Sequence, residues 1–82
     1  MLHQSLRQYD VVKVIALLQT PDAYDGWGFN QRAPALGDVG TIVDILAHAD
    51  VGTSYVVECS GPDGITIWLG DFLAEELVPI VA

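Results

Sequence analysis

Positive charge is what this sequence has least of. Only Arg7, Lys13 and Arg32 are basic, against 11 Asp and Glu residues, and the net charge is −8 at neutral pH. Nucleic-acid binding draws on cations that displace the counterions of phosphate, and anionic membranes attract basic segments in a similar way. DNA, RNA and membrane surfaces are therefore excluded as expected partners. Cysteine is nearly absent too. Cys59 stands alone and cannot close an intrachain disulfide, so no disulfide framework supports the fold. A lone thiol suits a reducing compartment. Long apolar runs are missing: the longest, Val14 to Leu18, falls far short of a bilayer span. The first eight residues lack a basic segment followed by an apolar run, so no secretory leader is expected. The expected setting is soluble and cytoplasmic.

What is present is apolar and short. Hydrophobic residues make up 51% of the 82, in a chain with room for one core. A domain of this size buries roughly 60–65% of the surface its unfolded chain exposes. The organising stretch is Gly37-Asp38-Val39-Gly40-Thr41-Ile42-Val43-Asp44-Ile45, a tight turn that launches a half-buried strand. Asp bonds its own backbone in turns, and Pro34 disfavours helix just upstream. Period-two counting places Val39, Thr41, Val43 and Ile45 on the core side, with Asp44, Ile42 and Leu46 facing water.

The same counting yields four more strands. In the first, from Val11, Lys13 is wet and Val12, Val14, Ala16 and Leu18 point inward. In Thr53–Cys59, Glu58 is outward and Tyr55, Val57 and Cys59 inward. Ser60-Gly61-Pro62-Asp63-Gly64 fits a type I turn with a glycine bulge, the strongest hairpin signal in the chain. In Ile65–Leu69, Ile65, Ile67 and Leu69 share the core face, leaving Thr66 and Trp68 on the other. Gly70 to Leu77 reads as one helical turn with Asp71 as its cap, and Leu77 to Val81 as a last strand that Pro79 confines to an edge or bulge. Residues 1–9 form an arm or a short helical turn. The expectation is an all-β domain over residues 1–82: a small five-stranded barrel with one short helical turn before the last strand.

Tyr9-Asp10-Val11-Val12, the Gly37–Ile45 stretch, Tyr55-Val56-Val57-Glu58, Asp63-Gly64 and Leu77-Val78-Pro79-Ile80 resemble a family of short bacterial SH3-like barrel domains of unknown function. A more distant resemblance is to the SH3-like barrel of the nitrile hydratase β-subunit. The resemblance implies an SH3-like barrel from Tyr9 to Val81. It brings no catalytic residues, and the nitrile hydratase metal belongs to the other subunit. The segment from Gln19 to Ala35 is longer than that family's usual loop.

No set of residues assembles a reaction. Cys59 lies on a predicted inward face, where a free cysteine acts as a small hydrophobe. His48 sits beside Asp50 in a turn, and His3 in the arm. Asp22, Asp25 and Asn30 lack the tight order of a calcium loop, and no His/Cys pair has zinc spacing. Glu75 and Glu76, adjacent on a helical turn, read as a solvated face. No cofactor and no metal are expected.

The aromatic residues are the best functional candidates. Loop 19–35 carries Tyr24, Trp27 and Phe29 among two prolines and two glycines. Loops of this length are usually functional or disordered, and aromatics argue against disorder. Trp68 is predicted to face away from the core. These four are the expected interaction surface, with three readings open: a lid over the core, a self-association surface, or a groove for a peptide or small molecule. Apolar residues on both faces of several strands (Val11, Ile15, Ile42, Leu46, Val56) favour a homo-oligomer, most simply a dimer. The expected function is a non-enzymatic interaction module that self-associates and binds a protein or peptide through the loop aromatics. The rivals are a small-molecule-binding or accessory enzyme subunit, and an antitoxin or immunity protein that neutralises a basic partner.

Overall fold

The computed structural model describes residues 5–50 and 52–80. The expectations for His3 and for the start of the arm lie outside them. β1 (Val11–Val14), β2 (Val39–His48), β3 (Gly52–Ser60), β4 (Thr66–Phe72) and β5 (Leu77–Pro79) form one antiparallel sheet in the order β4-β3-β2-β1-β5. Two 3-10 turns, Pro21–Tyr24 and Ala74–Glu76, interrupt the connections. The fold is all-β and five-stranded, with the short turn before the last strand. β4 and β5 do not pair, so the described sheet is open along that seam. Pro79 sits on the edge strand β5, where its missing N–H leaves the ladder intact.

The inner face of the sheet holds the core: Val12, Val14, Ile42, Val57, Cys59, Trp68, Phe72 and Leu77, joined by Tyr24. The Trp68 and Phe72 rings lie 5.4 Å apart, and Tyr24 and Phe72 5.0 Å. β1 and β3 present the predicted residues inward, although β1 ends at Val14 and Leu18 is exposed.

β2 and β4 are corrected. Ile42 is buried and Val39 exposed, the reverse of the expected facing. Trp68 is 0% exposed, in the centre of the core rather than outside it. The physical cause is the same in both strands. The β2–β3 register shifts between Ile42 and Asp44, and the β3–β4 register shifts between Cys59 and Ser60, where Cys59 opposes Trp68 but Ser60 opposes Thr66. An extra residue in each strand, Val43 and Ile67, breaks the strict alternation that period-two counting assumes. Thr66 and Trp68 thus fall on opposite faces.

The hairpin turn forms as expected. Gly64 takes φ +81° and donates its N–H to Gly61 O, while Asp63 Oδ1 accepts from Ile65 N. The segment after β4 is corrected. β4 runs on through Phe72, and Leu73, not Asp71, precedes the 3-10 turn.

Candidate functional site

Loop 19–35 straddles the free edge of β4. Gln31 N donates to Ile67 O, Asn30 Oδ1 accepts from Leu69 N, and Gln19 Nε2 donates to Asp71 O. Two side-chain amides and the Gln31 main-chain N–H thus do for this edge what another strand would do, which blunts it against strand pairing. Asn30 Nδ2 also donates to Tyr24 O at 2.7 Å, so the Asn30 amide is occupied by loop closure rather than by a cation. On the inner side the Tyr24 backbone crosses Gly70 so closely that a Cβ there would lie 2.9 Å from Tyr24 O. Glycine is required by that approach.

Two carboxylates anchor the loop. Asp38 receives both guanidinium nitrogens of Arg32 (2.7 and 3.1 Å), the Ala35 amide and the indole N–H of Trp68. The Arg32 guanidinium, with these further donors, holds the Asp38 carboxyl below its usual range against the opposing effect of burial. Glu76 is 0% exposed, which corrects the expectation of a solvated Glu75–Glu76 face; Glu75 alone is exposed. Glu76 accepts from Leu18 N (2.7 Å), Gln19 Nε2 (2.7 Å), Leu73 N (2.8 Å) and the Tyr24 hydroxyl. A buried carboxylate is tolerated when donors satisfy it this fully. Burial, and then the hydrogen bond to Glu76, raise the Tyr24 hydroxyl above its ordinary value.

The four predicted surface aromatics separate. Tyr24 and Trp68 are core residues and are removed from any exposed surface. Trp27 and Phe29 stay outside. Trp27 is held by its indole N–H on Asp71 Oδ1 at 2.9 Å, and Phe29 is 63% exposed. Phe29 closes one side of a groove of about 530 Å³, lined also by Gln31, Glu58, Ile65, Thr66 and Leu69. The sequence reading missed Ile65 and Leu69 as surface residues because it assigned them to the core face.

Register defines the rest of the outer face. Val11, Thr41, Glu58 and Leu69 stand opposite one another across β1 to β4, and Lys13 stands between Val39 and Val78. Ile80, whose N–H reaches Val11 O, continues the first row. Val11, Val39 and Ile80 are 45%, 46% and 44% exposed. The outer face has two halves. β5, β1 and the start of β2 are apolar around Lys13, with Asp44 further along β2, and the β3–β4 half is the Phe29 groove with Glu58.

The candidates for chemistry are not assembled into a site. Cys59 is buried in the core, and burial, aided by the Asp38 charge, raises its thiol above the usual value. That favours the unreactive thiol. His48 ends β2 rather than lying in the turn, and its Nε2 lies 2.9 Å from Ser54 Oγ on the neighbouring strand. Among the described residues, no group of three His, Cys, Asp or Glu could hold a metal ion, and no helix is long and apolar enough to cross a membrane. No family model, no curated protein and no solved structure matches the chain.

Proposed function

We propose that this chain is a non-enzymatic protein-interaction module of the cytoplasm, built as an SH3-like barrel and self-associating as a dimer. The meander from β1 to β4 supports the barrel reading, together with a 3-10 turn and a β5 that returns to β1. The observation that carries the function is the outer half-face of Val11, Val39, Val78 and Ile80, apolar side chains on a rigid sheet with Lys13 among them. Contiguous exposed apolar surface marks interaction sites. Each copy carries −8, so two copies repel least where a basic side chain offsets the acids, and Lys13 does so among Val11, Val39, Val78 and Ile80. A two-fold arrangement lets the same patch serve both copies.

Light scattering on the full chain, with Val39→Glu as the variant, tests the reading. The parent runs at twice the 8.8 kDa chain mass, and the variant runs at the monomer mass with an unchanged circular dichroism spectrum. A parent that is monomeric at high micromolar concentration refutes self-association.

A further inference from the structure

We infer that the groove between Phe29 and β4 takes a peptide segment of a partner protein in which a bulky apolar side chain is flanked by lysine or arginine. The inference rests on the interaction-module reading and names the ligand of one site. The apolar part follows from Phe29, Ile65 and Leu69, which contribute hydrocarbon to the lining of a groove open to solvent. An open trough buries too little of a compact small molecule, whose sites are normally enclosed. A chain lying along it covers the trough and places one side chain among the three.

The cationic part follows from charge. Glu58 lines the groove, Asp63 precedes Ile65 in the hairpin turn, and Asp71 follows Leu69 along β4. Each carboxylate is held by a neutral donor: Thr66 Oγ1 on Glu58, Ile65 N on Asp63 and Trp27 Nε1 on Asp71. The one ion pair among the described residues is Arg32–Asp38, so none of the three is neutralised there. Lys13 stands on β1, two strands from β3, about 10 Å away at ordinary strand spacing. A second copy would bring its own −8 to the same groove. A basic segment is attracted both locally and by the field of the whole chain. Strand addition at β4 is not the mode of docking, because Gln19, Asn30 and Gln31 already occupy that edge. Recognition is through side chains.

The test uses the full chain and three dye-labelled peptides of equal length. One alternates arginine with leucine and tryptophan, one replaces arginine with glutamate, and one replaces the apolar residues with serine. Fluorescence anisotropy gives affinity, and ¹⁵N–¹H spectra give the site. The arginine–apolar peptide binds about tenfold tighter than either control, the scale of one lost anchor, and weakens as salt rises. It shifts the amides of Phe29, Ile65 and Leu69. Phe29→Ala and Glu58→Gln each weaken it several-fold while the rest of the spectrum stays in place. Equal binding of the glutamate peptide, shifts elsewhere, or no binding by any peptide overturns the inference. So do groove amides that move with protein concentration alone, which assign the groove to a second copy. A dimer that persists while no peptide binds leaves the module reading standing and removes this one. A monomer that binds the arginine–apolar peptide does the reverse for self-association.

Discussion

The hydroxyl of Tyr24 donates to the buried carboxylate of Glu76, 52 residues further along the chain. The bond joins the loop after β1 to the turn before β5. Tyr24→Phe removes this charge-assisted bond, worth about 1.5–3 kcal/mol, together with the acceptor of the Gln19 N–H, and the loss is read as a lower urea midpoint. Glu76→Ala leaves several donors unanswered at about 1–3 kcal/mol each and is the more damaging change. The raised Tyr24 value has a consequence at high pH. The native state holds the phenolic proton more tightly than the unfolded chain does, so its contribution is complete below the ordinary value of 10.0. It is lost as pH rises through the higher native value. Alkaline titration of stability should therefore show a steeper decline in the parent than in Tyr24→Phe, which keeps only the contribution of the raised Cys59 thiol.

Asp38 has the opposite dependence. Its carboxyl is held below 3.8, first by Arg32, so its contribution is present above that value and is lost as pH falls through the lower native one. Asp38→Asn is expected to be clearly less stable than the parent near neutrality. The two midpoints should converge in acid below the ordinary carboxylate range, as followed by Trp68 fluorescence in urea titrations. A gap that stays constant with pH would assign the effect of Asn to packing instead.

Gly70 and Gly40 admit no side chain. At Gly70 a Cβ meets Tyr24 O at 2.9 Å and Tyr24 Cα at 3.1 Å, and at Gly40 it meets Glu58 O at 2.7 Å. These obstacles are backbone, which cannot swing aside. Gly70→Ala and Gly40→Ala should each cost about 1–3 kcal/mol in thermal or chemical denaturation. Gly26→Ala, where nothing lies within 4 Å, is the neutral control.

Asn30 holds the loop to β4 through Leu69 N and to itself through Tyr24 O. Asn30→Ala should expose the β4 edge. Hydrogen exchange at the Leu69 amide should accelerate, and light scattering during storage should rise, since bare edges recruit other strands. Retained protection at Leu69 would mean that Gln31 and Gln19 suffice.

Much of the sheet was legible from residue order. β1 alternates cleanly, β3 does so except that Val56 is buried beside Val57, Pro79 marks an edge strand, and Gly61-Pro62-Asp63-Gly64 signals its turn by composition. The facing of β2 and β4 was not legible. An apolar extra residue such as Val43 or Ile67 looks like any other strand residue, and each displaces the alternation by one. Trp68 and Leu69 were consequently exchanged between core and outer face, while Ile65 is exposed because it precedes β4 in the turn. Phe29 and Trp27 were found because bulky rings in a proline- and glycine-rich loop stand out. Tyr24 differs from them in having Gly70 beneath its backbone and Glu76 at its hydroxyl, pairings 46 and 52 positions apart that no local pattern reveals. Glu76 was missed for a similar reason: its donors, Leu18, Gln19, Tyr24 and Leu73, include three from the distant segment 18–24.

β1 lies between β2 and β5, so its second neighbour is supplied by the last stretch of the chain. During synthesis, the opening strand and its loop leave the ribosome long before Leu77–Pro79 and Glu76 do. Until those residues emerge, one side of β1 has no ladder and the Leu18 N–H lacks its Glu76 acceptor. The native arrangement therefore closes late, and a nascent chain stopped before Glu76 should be held by chaperones or degraded rather than accumulate as a folded product.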